Sequence, residues 1–534
     1  MKLKQIMKKK FLYFKIFILL IPLLSFIRIE KYSNNTTSQP LFISAVKLDA
    51  NQISTWFRNN CEFNRSPQSN PGFEWPAGSN LFARYDGAVW MGGVVNNDTL
   101  TSCLLYGYSD FVNGYIDDFG VSQGMNDSIY RIYKIYKGDS LSSDYLNWPV
   151  NQGAYTNNIG KPYCLGKQTM FYVFNDNYIR NSLQTSDSSM KAQILQTNWA
   201  YDHSVYLENV IFTEYRIINR SKYVWYNYFF GIWNDDDPEG VQLGKVACDT
   251  LRNLGYNYFV YNSQQYGTKP PAVGNLFLKG LSTFTGNSND TVKYYNPPGS
   301  NNLIVKAGYK DLKLKVWNRF NNASFPPAPE NNIETFRVIS GHQSNGSDWI
   351  NPINNTPSTL LYPGDPVTNS GWIQTGAAYR NTFMGTGPAT VHPGDTVSVL
   401  YAQLIARGSS NLNSITKLRE TADHVKQIYN ENFQSVLSVK NISDEVPDGF
   451  ILDQNYPNPF NPVTNLEFGI SKLGFVSLKI YDILGKEIAT LVNENLNPGT
   501  YKYTFDASDL TSGIYFYRLQ VGKFSETRRM ILLK

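Results

Sequence analysis

Residues 450–462 read Phe450-Ile-Leu-Asp-Gln-Asn-Tyr-Pro-Asn-Pro-Phe-Asn-Pro462, and the runs behind them decide the fold of the C-terminal part. Leu466, Phe468 and Ile470 alternate with polar residues. So do Val476, Leu478 and Ile480, then Tyr501, Tyr503 and Phe505, then Tyr515, Tyr517 and Leu519. A period of two means strands buried on one face. Leu484-Gly485-Lys486, Asn497-Pro498-Gly499 and Val521-Gly522-Lys523 supply the turns. Roughly seven strands in about 85 residues make a small immunoglobulin-like sandwich. The proline-rich opening lacks ladder donors, which rules out a central strand. It is expected to run as an extended leader that packs Tyr456 and Phe460 onto the sandwich.

Several pieces occur in a fixed order: Gln454-Asn-Tyr-Pro-Asn-Pro-Phe-Asn-Pro462, Ile480-Tyr-Asp-Ile-Leu-Gly485, Asn497-Pro-Gly-Thr-Tyr501, Ser512-Gly-Ile-Tyr-Phe-Tyr-Arg518 and the basic-apolar end. In this order and spacing, residues 450–534 resemble the type A C-terminal sorting domain of the bacterial type IX secretion system. The resemblance implies a sorting motif carried by Asn455, Pro457, Pro459, Phe460, Asn461, Pro462, Gly485, Gly513, Tyr515, Arg518 and Lys534. It also implies an address read by the outer-membrane machinery and then removed, with the cargo released or joined to surface glycolipid.

The other end agrees. Lys2, Lys4, Lys8, Lys9 and Lys10 precede an apolar run from Phe11 to Ile27, so residues 1–30 read as a signal peptide for the Sec translocon; no Ala-x-Ala cleavage site is visible, which leaves a signal anchor as the alternative. The charge-free part, Ile16 to Ile27, is too short for a comfortable bilayer span. No later segment is apolar enough to cross, so no stable transmembrane segment is expected after processing. The destination is the outer cell surface or the medium, by way of the periplasm. Removing the first 27 residues takes the formal charge from +5 to −1, so the basic balance belongs to the precursor and gives no ground for a nucleic-acid partner.

At 534 residues the chain exceeds one ordinary domain. Aromatics make up 15% and charged residues only 17%, the profile of a secreted strand-and-loop protein. Overall the fold is expected to be mainly β: a large β-sandwich-type cargo region with one amphipathic helix, then the small C-terminal sandwich. The expected divisions are a linker at 31–41, a β-rich lobe at 42–190, a β-sandwich at 191–437 and a second linker at 438–449. Within the sandwich, residues from about 245 to 390 read as a loop-rich insertion, and the first lobe could also be part of the same sandwich. Cys61, Cys103, Cys164 and Cys248 lack metal-type spacing. They read either as two disulfides, in any of three pairings, or as free buried thiols.

Ile415, Leu418, Ala422, Val425, Ile428 and Tyr429 recur at helical spacing, which predicts a helix over 413–433. Val210–Ile218 and Val224–Trp233, joined by Asn219-Arg-Ser-Lys222, read as a hairpin. His392-Pro-Gly-Asp395 is a turn feeding the strand Thr396–Ala406. Several cargo blocks, among them Phe73-Glu-Trp-Pro-Ala-Gly78 and Glu214-Tyr-Arg-Ile-Ile-Asn-Arg-Ser221, resemble recurrent blocks of large secreted proteins with this same tail. That resemblance supplies no activity.

For chemistry, Asp235, Asp237 and Glu239 place oxygen ligands at alternate positions before Gly240, like the opening of a calcium loop. Val246 stands where an EF-hand has its bidentate acid, so Asp249 is the remaining candidate ligand and a solvated acidic turn is the alternative. His203, His342, His392 and His424 sit in no metal-binding pattern. No nucleophile elbow or phosphate loop occurs. Trp75, Trp90, Trp225 and Trp233 could stack on sugar rings, although core packing is the readier account of aromatics in a large sandwich. The first functional reading is an exported protein with a binding or structural role. The second is a secreted hydrolase acting on polysaccharide or protein.

Overall fold

The computed structural model describes residues 41–106, 108–157, 159–177, 189–202, 206–236, 244–320, 328–376, 381–433, 440–443, 446–507 and 510–534. The signal peptide read at 1–30, nearly all of the first linker, and His203, Asp237 and Glu239 lie outside them.

The cargo region is built on two antiparallel sheets. The larger, nine-stranded among the described residues, runs in space Tyr133–Tyr136, Gln168–Asn175, Ala192–Ala200, Val210–Asn219, Thr396–Ala406, Ala272–Lys279, Leu254–Phe259, Gly244–Asp249, with Val112–Asn113 also pairing Gln168–Asn175. The second runs Val316–Phe320, Asn381–Val391, Trp225–Asp235, Asp86–Val95, Asp98–Ser102. Tyr215 of one sheet and Phe230 of the other bring their ring centroids to 5.1 Å, and a Cβ on Gly255 would strike the Trp317 ring across the gap. The sheets therefore pack face to face. Their strands read as nearly continuous apolar runs because both faces are covered. On the outer face of the larger sheet lies the helix Asn411–Asn430, which buries Ile415, Leu418, Ala422 and Val425 and is capped by Ser410, whose hydroxyl accepts from the Asn413 amide. The helix Asn332–Ile339 packs on the smaller sheet.

Three expectations are corrected here. Val210–Asn219 and Trp225–Asp235 are not a hairpin; they belong to different sheets. Both runs are buried on both faces and are paired along both edges: Val210–Asn219 with the preceding Ala192–Ala200 and the distant Thr396–Ala406, Trp225–Asp235 with Asp86–Val95 and Asn381–Val391. The turn between them is an arch across the sandwich, locked by Asn219, whose side chain donates to Tyr223 O and Val391 O. The turn at His392–Asp395 makes a second arch beside it: Gly394 N donates to Asn219 O and Asn219 N to Asp395 O. Secondly, residues 42–190 do not form a lobe of their own. Their strands enter both sheets, and one hydrophobic core runs from Leu48 to Phe433. Thirdly, the segment read as a loop-rich insertion supplies three strands that extend the larger sheet and two of the smaller one.

The C-terminal region has a separate core. One four-stranded sheet orders Lys440–Ser443, Gly499–Asp506, Val463–Ile470, Ile451–Leu452; the other orders Glu487–Leu496, Gly474–Tyr481, Gly513–Val521, Phe524–Leu532. Leu466, Phe468, Ile470, Val476, Leu478, Ile480, Tyr517 and Leu519 are all fully buried, as the alternation requires. Gly485 and Gly522 take positive φ of 78° and 57° at the expected turns. The expected second linker differs: Lys440–Ser443 is an edge strand of this sandwich, paired with Gly499–Asp506.

Candidate functional site

A cavity of about 370 Å³ opens on the outer face of the larger sheet. Its floor follows from register. Glu214 lies opposite Leu400, and Lys279 lies opposite Leu400 from the other side, so two ionisable side chains flank one leucine on three adjacent strands. A bulge between Phe277 and Lys279 brings Lys279 into this row. Bulges next to sites commonly re-aim a side chain in this way. Tyr294 and Tyr295 from the hairpin Thr291–Ala307, and Tyr429 and Phe433 from the end of the helix, complete the walls. The hydroxyls of Tyr294, Tyr295 and Tyr429 make no hydrogen bond among the described residues, so they are available to a ligand.

Glu214 is buried; the Tyr155 hydroxyl shares its proton between Glu214 Oε2 at 2.8 Å and Asn296 Oδ1 at 2.6 Å. The Arg216 guanidinium stacks 4.1 Å over the Tyr155 ring. Burial raises the Glu214 carboxyl above the usual range, opposed by Arg216, Tyr155 and Lys279. Burial also pushes the Lys279 ammonium down to about 8, against the opposing pull of Glu214 and Asp311. Reading the sequence missed this pair. The available signal was an acid and a lysine inside runs, Val210–Ile218 and Ala272–Lys279, that otherwise read as buried strand.

The anticipated tryptophans lie elsewhere. Trp90, Trp225 and Trp233 are fully buried and Trp75 nearly so, in keeping with core packing as the readier account and not with sugar stacking; Trp90 stacks on Trp233 with centroids 6.2 Å apart. Asp235 lies opposite Asp86 at a strand end of the smaller sheet, and its Oδ2 accepts from the Tyr106 hydroxyl at 2.9 Å. Asp249 ends a strand of the larger sheet, 2.8 Å from Arg252 Nη1 and 3.5 Å from Arg419 Nε. The four cysteines are free thiols, and burial pushes each of them up in pKa.

In the C-terminal sandwich the motif residues divide by burial. Phe460 is buried and Asn455 almost completely so, while Tyr456 is 80% exposed, which corrects its expected packing. With Asn455 facing in, its neighbour faces out: Tyr456 pairs with Asn465 through reciprocal backbone hydrogen bonds. The Asn455 side chain donates to Pro457 O and Thr464 Oγ1, its backbone N–H to the Tyr517 hydroxyl at 2.7 Å, and that hydroxyl in turn to Asp453 O. Phe460 is stapled to the last strand through Ile531 O and Leu533 N. The Tyr515 hydroxyl donates to Thr511 O, and the Arg518 guanidinium lies 5.0 Å over the Tyr481 ring. Pro457, Pro459, Asn461, Arg518 and Lys534 are exposed.

Residues 454–533 match the family model of the secretion system C-terminal sorting domain. This segment is a type IX sorting domain. It marks the chain as cargo of that machinery, bound for the cell surface or the extracellular space. No helix of the described residues is long and apolar enough to cross a membrane. No curated protein matches the chain. Among solved structures, a polysaccharide lyase is 8% identical with a TM-score of 0.20, covering 84% of this chain and 46% of its own, so the chain spans about half that protein's length. PorZ, an essential surface component of the type IX secretion system of Porphyromonas gingivalis, is 11% identical with a TM-score of 0.12, covering 94% and 82%. Likenesses at this level carry no argument about fold or activity.

Tyr517 ties the leader of the sorting domain to its core. Tyr517→Phe leaves the buried Asn455 N–H without its acceptor and is expected to cost about 1–3 kcal/mol. Hydrogen exchange of the full chain would show it as faster exchange confined to residues 451–470 and 513–532.

Proposed function

We propose that the exported cargo region is a binding protein whose cavity takes a sugar ring. The observation that carries this reading is the cavity itself. A volume of about 370 Å³ is within the range of ligand pockets, and aromatic walls with a few convergent polar groups are their usual lining. Tyrosine rings offer apolar faces to the C–H faces of a pyranose and keep a hydroxyl for its polar edge. Glu214 offers a buried acceptor for a ring hydroxyl. Binding is favoured over glycoside hydrolysis because hydrolysis uses two carboxylates across the bond, and Glu214 is the one acid among the residues lining the cavity. Attachment of the released cargo to surface glycolipid, implied by the tail, belongs to the same proposal; a mass increase on the exported form would support it.

The test is titration of the full chain with a panel of oligosaccharides. Tyr294→Ala and Glu214→Gln are each expected to weaken binding about tenfold or more, equivalent to about 1.4 kcal/mol. Saccharide binding that neither substitution alters would place the site elsewhere and overturn the proposal.

A further inference from the structure

This inference rests on the cavity being a saccharide site and concerns the charge of its occupant. Lys279 is only 6% exposed. Its Nζ donates to Ser398 O and Ser398 Oγ, both at 2.6 Å. An ammonium has three donors, so one remains. Lys279 makes no ion pair among the described residues. Glu214, its nearest acid in register, stands two strands away, about 10 Å between backbones, and already holds the Tyr155 hydroxyl. Asp311 spends Oδ1 on the amides of Gly280 and Lys313. The Tyr294 ring, 4.2 Å from Nζ, gives partial compensation through its face. Lys293 lines the same cavity, and Lys306 lies close enough to repel Lys279.

Buried charges are as a rule paired, because an unpaired one forfeits its hydration without return. Here the cations around one cavity outnumber the free acids, and the most deeply buried of them keeps a donor unspent. We propose that the ligand supplies the missing counter-charge: an acidic saccharide whose carboxylate sits on Lys279 and Lys293 while its ring lies between Tyr294 and Tyr429. A neutral sugar leaves the ammonium unpaired, and a cationic one adds repulsion.

Matched pairs of oligosaccharides separate this inference from the reading beneath it: galacturonan with galactan, mannuronan with mannan, glucuronan with glucan. In calorimetric titration of the full chain at neutral pH and low salt, the acidic member of at least one pair is expected to bind about tenfold or more tightly than its neutral partner. Lys279→Met is expected to bring the acidic-to-neutral affinity ratio down to about one. Lys293→Ala, at an exposed position, is expected to reduce the acidic-to-neutral affinity ratio several-fold. Equal affinity within every pair overturns the acidic ligand and leaves the saccharide site standing. Binding of no member overturns the saccharide site itself. A full acidic preference in Lys293→Ala, and in Lys279→Met where that variant folds, also overturns the inference.

Discussion

Cut back to residue 433, the protein is expected to accumulate in the periplasm, with none on the outer surface or in the medium. The sorting domain has its own core, and the cargo core ends at Phe433, so the cut removes the address without taking a residue from the cargo interior. The position of the cut matters. A truncation at 449 leaves Lys440–Ser443 without Gly499–Asp506, exposing an unpaired strand edge that invites aggregation. Immunoblots of periplasm, membrane and supernatant would score the result, with a thermal melt of the truncated cargo as the control for folding. Surface delivery of a well-folded 1–433 chain would contradict the role of the sorting domain.

The second large effect lies between the two sheets. Arg84 is fully buried; its Nε pairs with Asp236 at 2.9 Å, and its Nη1 donates to Asn234, Asn275 and Gln403 at 2.8–3.0 Å. Gln403 also accepts from Asn64, which accepts from Thr55. One guanidinium thus joins both sheets through their polar side chains. Arg84→Met removes the cation from beside the buried Asp236 carboxylate, with an expected loss of about 3–5 kcal/mol in urea unfolding. Replacing Asp236 by Leu in the same chain is expected to restore part of that loss, since the cost lies mainly in the uncompensated charge.

The C-terminal sandwich was legible almost strand by strand because each of its strands has one wet face, and alternation then writes the burial pattern into the residues. The cargo was legible only as strand content. Its central strands are covered on both sides, so Val210–Asn219 and Trp225–Asp235 carry no sign of which face meets which partner, and adjacency in sequence wrongly suggested a hairpin. The helix was readable for the opposite reason: Ile415, Leu418, Ala422 and Val425 mark one face, and the structure places its start at Asn411 and its end at Asn430. The cavity could not be read. Glu214 and Lys279 come to line one cavity through register across three strands and a bulge, a relation that no local pattern encodes. The tryptophans attracted notice by type, whereas the site uses tyrosines of the Thr291–Ala307 hairpin and the helix end.

The paired arches also govern when the fold can form. Val210 pairs with Leu404, and Trp233 with Phe383, so the middle of each sheet joins segments more than a hundred residues apart. A chain emerging N-terminus first offers Val210–Asn219 one partner strand early and the other only after residue 406 has appeared. Contacts of such sequence separation close slowly, because the loop entropy is spent before the pairing repays it. The two sheets therefore close late, once the strands Asn381–Val391 and Thr396–Ala406 are available to pair. The same delay leaves apolar strands uncovered for a time, and that interval is when the protein is most exposed to aggregation.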